Sequence, residues 1–507
     1  RGADVLVGRI YDRIGTIYYR TEEYPKAREF LEEALRTHNE TGALEMQKIE
    51  LIRLGDIASK MNDLEGALKY QQRALTLTRE TKDRKSEART LTRIGTLNQS
   101  MGKPRGALEE YKEAMSLRSS LGDRRGVNEN LLQISMLATT LGDYDSALTD
   151  LKRALEIAQA SEDRSMLWKG YFILGRTLEE KKNFGEALEA YRKSLSIVEA
   201  MEADYTEESD DDDFIFGGKT TLFETTLRVM MTLAKKDPGG AYDSRALRIA
   251  ESLKSSSFEN TLARINVENF SDVPNDLLIK EKSLKLSLKK LNEKLMEERS
   301  KADPNQATIR KLIEERKTKE KSYGILREQF AKEYPAYADL KRPRPMSAHE
   351  LQKSLDPDEA IIQYTVTRGR TYVFAIDKQR FHTFSVDYPS TEMEKDVDSL
   401  VRPLQKLDTQ SSWDPSVAYK IYSKIFQPVE FILNGKKTAI IVPHGPLTAL
   451  PFEILVDSKS HQSKRFWSAN DRPSFLVEKY AFCYEPSSYL LAWSRKIHKS
   501  KRPGWRS

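Results

Sequence analysis

The sequence predicts a helical repeat array, then a helical hairpin, then an α/β domain, a fold class of α plus α/β. Three observations carry this reading. Small residues recur on a 40-residue grid through the first 200 positions. A leucine stripe with 4-3-4 spacing begins at Leu284, breaks at Asp303-Pro304-Asn305 and then resumes. Beyond Ala360 the helical period gives way to short β-rich runs that alternate with helices.

On the grid, Gly15, Gly55, Gly95 and Gly175 recur, with Ser135 in the remaining slot. Ala27, Ala67, Ala107, Ala147 and Ala187 follow twelve residues later, and Ala34, Ala74, Ala114, Ala154 and Ser194 seven after that. Each small side chain marks a place where two helices approach too closely for a larger one. Apolar residues such as Tyr11, Ile14 and Tyr18, or Leu51, Leu54 and Ala58, keep helical spacing ahead of a polar break (Asn62-Asp63, Gly142-Asp143). A second helix carries the alanines, and Asp83-Arg84, Asp123-Arg124 and Asp163-Arg164 turn the chain into the next copy. One helix–turn–helix copy cannot bury its apolar face alone, so the copies must stack.

This pattern resembles the tetratricopeptide repeat in its longer 40-residue form, with five copies over residues 1–200. The resemblance implies that the first helix of each pair lines a concave groove. The matching positions are Arg9, Asp12, Ile49, Asp56, Arg89, Thr92, Glu129, Leu132, Lys169, Phe172 and Arg176. Their mixed sign and chemistry point to a protein or peptide ligand rather than a polyanion. The charged members and Phe172 are the candidate partner-binding residues.

Residues 201–218 read as an acidic loop, with eight acids over 202–213 that end in Asp210-Asp211-Asp212-Asp213. Gly217-Gly218-Lys219-Thr220 imitates the end of a phosphate-binding loop, but Asp213 stands where that motif needs its first glycine. The spacing also fails for a calcium-binding EF-hand. Residues 219–270 return to helix, with Ala246, Ala250, Leu253 and Phe258 marking a further repeat-like pair. Over residues 271–335, Leu284, Leu288, Leu291 and Leu295 and then Ile309, Leu312, Ile313, Tyr323, Leu326 and Phe330 predict an antiparallel hairpin. Residues 280–332 hold 16 Lys and Arg against 9 Asp and Glu, but no aromatics interleave with the charges. That face is read as a solvated coiled-coil surface rather than a nucleic-acid interface.

Within residues 340–507, the runs 361–367, 372–377 and 381–386 read as strands, followed by helices near 390–407 and 416–433. Thr438 to Val442 and Tyr480 to Tyr484 read as further strands of a partly parallel sheet. Tyr334-Pro335-Ala336-Tyr337, Leu351-Gln352 with Leu355, Pro357-Asp358-Glu359-Ala360 and Tyr372-Val373-Phe374 resemble the opening of the CHAT domain. So do Ile441-Val442-Pro443-His444-Gly445-Pro446-Leu447, Leu450-Pro451-Phe452 and Tyr484-Glu485-Pro486-Ser487. The resemblance implies a caspase- and separase-like cysteine peptidase fold whose Cys–His dyad attacks a protein substrate.

Cys483 is the chain's single cysteine, and His444-Gly445 superficially imitates a catalytic His-Gly. Cys483 is expected inside an apolar strand, where burial suppresses the thiolate, and His444 in a loop or at a sheet edge. In the CHAT family the dyad follows the Tyr-x-Pro-Ser segment, so it is expected beyond Ser507. No catalytic, cofactor-binding or metal-binding residue is assigned to this chain. It starts at Arg1 rather than Met and ends on a basic stretch, and is read as a fragment.

No run of some eighteen apolar residues is available to span a bilayer. With one cysteine and no signal peptide, a cytoplasmic setting is expected. The expected function is a partner-binding sensor arm plus the non-catalytic front half of a caspase-like endopeptidase. The alternative is a non-enzymatic scaffold with a degenerate α/β appendage.

Overall fold

A computed structural model describes residues 2–204, 218–237, 242–264, 273–299, 305–335, 337–338, 346–405, 413–457 and 473–500. The acidic loop, apart from its two ends, lies outside the described residues. Over the first 204 positions the chain forms α1 (Gly2–Arg20), α2 (Tyr24–Thr41), α3 (Leu44–Lys60), α4 (Leu64–Glu80) and α5 (Arg84–Ser100). It continues with α6 (Pro104–Ser120), α7 (Arg124–Leu141), α8 (Tyr144–Ala160), α9 (Arg164–Glu180) and α10 (Phe184–Asp204). These are five helix pairs on the 40-residue grid.

Local chemistry punctuates the pairs. Asp63, Asp83, Asp123, Asp143 and Asp163 each accept the backbone N–H three residues on, capping the helix that follows. The turns need a left-handed residue at recurring positions, and Glu22, Asn62, Gly102, Gly142 and Lys182 supply it within the pairs. Gly42, Lys82, Gly122 and Glu162 supply it between them.

The grid glycines face the second helix of their own pair. A Cβ at Gly95 would stand 2.6 Å from the Tyr111 ring, and one at Gly175 would stand 2.5 Å from Tyr191. The expected alanines from Ala27 to Ala187 are all fully buried. Ser194 is buried as well, its hydroxyl donating to the Trp168 carbonyl at 2.7 Å.

Beyond the array lie α11 (Gly218–Lys236), α12 (Tyr242–Arg264), α13 (Asn275–Arg299) and α14 (Gln306–Glu333). The last two lie on the stretch expected as a hairpin. Leu284, Leu288, Leu295, Ile309, Leu326 and Phe330 are buried, and Tyr323 on α14 donates to Glu281 on α13. The chain divides into two compact units, residues 1–218 with 283–321 and residues 219–282 with 322–507. The helices α11 and α12, expected as a further repeat pair, therefore belong with the sheet. Ala246, Ala250 and Leu253 are buried as their spacing implies, and the side chain of Phe258 lies outside the described residues.

The second unit is built on β1 (Glu359–Val366), β2 (Thr371–Asp377), β3 (Phe381–Val386), β4 (Thr438–Val442) and β5 (Ala481–Tyr484), in spatial order β3-β2-β1-β4-β5. The first three strands pair antiparallel, while β1–β4 and β4–β5 are parallel, so the sheet is mixed as expected. Helices α15 (Ala348–Ser354), α16 (Ser390–Gln405), α17 (Pro415–Ile421) and α18 (Ser488–Ser500) complete it.

Ala360, Ile362, Tyr364, Val373, Ala439 and Ile441 face one core with Val397, Ile421, Phe426 and Phe452. Ile361, Gln363, Ile440 and Val442 face the other way and are equally buried. Burial on both faces explains the continuous apolar run of β4. The single helix expected near 416–433 is instead the short helix α17, a π-turn over Tyr422–Phe426 and a 3-10 segment over Gln427–Leu433. Pro428 has no N–H to continue the α-helical ladder.

Candidate functional site

The first helices of successive pairs are laced together by polar side chains reaching from one pair to the next. Arg53 on α3 ion-pairs with Asp12 on α1. Arg93 on α5 reaches Asp56 on α3 at 3.0 Å, and Gln71 leans on the same carboxylate at 3.4 Å. Asn130 on α7 donates to Thr92 at 3.2 Å, and the Thr139 and Thr177 hydroxyls meet at 2.7 Å between α7 and α9. The ladder bridges the first helices and sets alternating charge along α1, α3 and α5. Burial raises the Asp56 pKa, with Arg93 and Lys60 pulling it down. Beside the ladder, Thr16, Tyr19, Arg20, Tyr24, Arg53, Asp56 and Lys60 line a cavity of about 700 Å³.

The expected groove residues divide into three groups. Arg9, Ile49 and Arg89 are exposed. Asp12, Asp56, Glu129, Lys169 and Arg176 are half-buried; Glu129 accepts from Arg118 at 2.8 Å, and the Lys169 amine lies 5.8 Å from the Trp168 ring centroid. Phe172, Leu132 and Thr92 are buried, which corrects their expected outward placement. Phe172 packs 6.0 Å from Tyr191, and Thr92 turns its hydroxyl to the Ala88 carbonyl. Helical phase placed these three one step too far out, because the first helices are flanked on two sides. Sequence reading missed Arg53 and Arg93. Their signal was present, since Arg13, Arg53 and Arg93 share the 40-residue grid.

In the sheet unit, the His444 Nδ1 accepts the Val366 N–H at 3.1 Å, tying the loop after β4 to the end of β1. Burial and the Lys254 charge lower its pKa to about 4. This is the loop position expected of it. Cys483 faces Ile440 across the β4–β5 register and is exposed, which corrects its expected burial, because β5 is the edge strand. Its pKa is still raised, by partial desolvation and the Glu485 carboxylate, against the pull of Arg495. A neutral thiol and an imidazole whose Nδ1 is already engaged are not a primed dyad.

A second polar cluster was not visible in the sequence. On α12, the buried Lys254 donates to the Val442 carbonyl at 3.1 Å, and the buried Glu251 accepts the Tyr489 N–H at 3.1 Å. Ser488 donates to Gln363 at 2.5 Å beside them. Burial pushes Glu251 up and Lys254 down, each restrained by the other's charge. The pair fastens α12 to the end of β4 and to the start of α18. Among the described residues no group of three or more metal-ligating side chains converges, and no helix is long and apolar enough to cross a membrane.

Residues 7–41, 47–120 and 127–200 match the tetratricopeptide repeat family. Among solved structures, BtubC (BKLC) from P. vanneervenii is 19% identical over 44% of this chain and 87% of its own length, with a TM-score of 0.36. RapI in its apo form is 17% identical over 52% of this chain and 96% of its own, with a TM-score of 0.37. A Rap protein complexed with Competence and Sporulation Factor is 15% identical over 50% and 66%, with a TM-score of 0.34. No curated protein matches. The chain thus carries a tetratricopeptide-repeat solenoid, a scaffold suited to protein binding, followed by a small mixed sheet.

Proposed function

We propose that the array holds a segment of a partner protein along its first helices, and that the sheet unit is the non-catalytic front part of a caspase-like peptidase domain. The observation that supports partner binding most directly is the polar ladder. It presents a row of alternating charge on helices bridged by Asp12–Arg53 and Asp56–Arg93. Arg9 and Arg89 stand exposed beside it, with Lys169 and Arg176 half-buried further along. The partner is a protein or peptide with mixed charge. Partner binding regulates the sheet unit only if affinity differs between two arrangements of the protein.

The test is recovery of partners from a lysate by the 507-residue chain, compared with an Arg89→Glu/Arg176→Glu variant. Selective loss of the same bands from the variant supports the reading, and identical recovery defeats it. The peptidase part rests on the CHAT-like motifs. In this reading residues 1–507 have no proteolytic activity of their own, because neither His444 nor Cys483 is primed. Cleavage of a casein substrate that disappears in Cys483→Ala would defeat that part alone. The same two side chains favour the second reading, a non-enzymatic scaffold, which predicts partner recovery and no cleavage under any activating condition.

A further inference from the structure

The first unit holds a second cavity, lined by none of the ladder residues. It measures about 750 Å³ and lies between α7, α8 and the distal part of α14. Val127, Ile157, Ile309 and Ile313 form its apolar walls. Arg124, Arg153 and Arg310 approach it from three different helices, and all three are exposed. Arg124 and Arg310 have no ion-pair partner among the described residues, and Arg153 has only the pull of Asp150 on its own helix. Two of the three acids in the lining already face arginines. Asp163 caps α9 and pairs with Arg125 at 3.3 Å, and Glu162 faces Arg316 at 4.0 Å. Glu156 is left exposed at the rim.

One further group points to a ligand. Asn128 lines the same cavity and is 2% exposed, yet its Oδ1 has no hydrogen-bond donor. A buried amide oxygen without a donor keeps its desolvation cost uncompensated. A ligand that brings an N–H to Asn128 and carboxylates to the arginines satisfies both kinds of group at once.

We propose that this cavity binds an acidic peptide segment in which carboxylate and apolar side chains alternate. The apolar walls take the alternate side chains, the arginines take the carboxylates, and a peptide N–H meets Asn128. Because α14 supplies one wall and one arginine, an occupied cavity also clasps the hairpin to the array. The proposal stands apart from the groove reading, since it shares none of the groove's candidate residues.

The probe is a fluorescein-labelled peptide alternating Glu with Leu and Val, titrated with the whole chain and followed by anisotropy. Saturable binding is expected, weakening as salt rises. Arg153→Glu with Arg310→Glu should cut affinity by about tenfold or more, each lost charge contact approaching a factor of ten. Asn128→Leu should weaken binding at constant salt dependence, and Arg192→Glu, on α10, should leave it unchanged. Circular dichroism checks folding, and Arg153→Gln with Arg310→Gln replaces the reversal if that variant misfolds. Absent binding, or equal binding by the charge-reversed protein, overturns the proposal. Displacement of the peptide by equimolar ATP also overturns it and assigns the arginines to a phosphate ligand. Arg89→Glu/Arg176→Glu should bind the probe normally, so this site and the groove can fail separately.

Discussion

Glu50 sits on α3 with both carboxylate oxygens buried and without hydrogen-bond partners among the described residues. Burial raises its pKa to about 7. Because the folded value exceeds the unfolded one, the folded state gains by holding the proton, and that gain is lost as pH rises through about 7. Glu50→Gln is therefore expected to leave urea stability nearly unchanged at pH 4 and to raise it at pH 8, by up to about 3 kcal/mol. An equal effect at pH 4 and pH 8 would refute this. At the turns, Lys182 holds a left-handed conformation in the slot that glycine fills at 102 and 142. Lys182→Gly is expected to raise the thermal midpoint, by about 0.5–1 kcal/mol of stability. Neither effect was legible in the chain. Glu50 looks like any helical surface acid until its neighbours bury it, whereas Gly102 and Gly142 announce their turns by residue type alone.

The helices owe their register to paired small and large side chains, and glycine substitutions separate packing from propensity. In α5, Gly95→Ala would drive a Cβ to 2.6 Å from Tyr111, a fully buried ring. A loss of about 1–3 kcal/mol is expected, read from denaturant midpoints. In α6, Gly106→Ala meets nothing closer than 3.5 Å and should stabilise by about 0.5–1 kcal/mol. If both substitutions destabilise alike, the grid glycines are not there for close approach. All five strands were visible as short apolar or alternating runs and were found within two residues of their expected bounds. The break in the helix after Ile421 was not, because the π-turn depends on how Tyr422 and Phe426 pack into the core.

The two units have separate cores, one around Leu31, Leu51 and Ile57 in the array and one around Tyr364, Ile425 and Phe452 in the sheet. Each is therefore expected to melt in its own calorimetric transition. Lys254→Met leaves Glu251 as an uncompensated buried carboxylate and should lower only the transition of the sheet unit, at a cost of about 3–5 kcal/mol. Adding Glu251→Leu should recover part of that loss, since removing both charges removes the desolvation cost. A shift in both transitions, or no recovery in the double variant, would count against this account. The Glu251–Lys254 pair escaped sequence reading because two charges at i and i+3 on a helix ordinarily face solvent.

The sequence by itself determined the repeat length, the close-approach positions, the strands and the mixed chemistry of the first helices, because periodicity and residue size are local properties of the chain. Tertiary structure decided which of those first-helix residues remain available. It buried Phe172, Leu132 and Thr92, tied Asp12 and Asp56 to arginines of the next pair, and left Arg9 and Arg89 exposed. It also placed Cys483 on the sheet edge and brought α7, α8 and α14 around one cavity. Burial and charge pairing depend on neighbours far apart in the chain, and no local pattern records them.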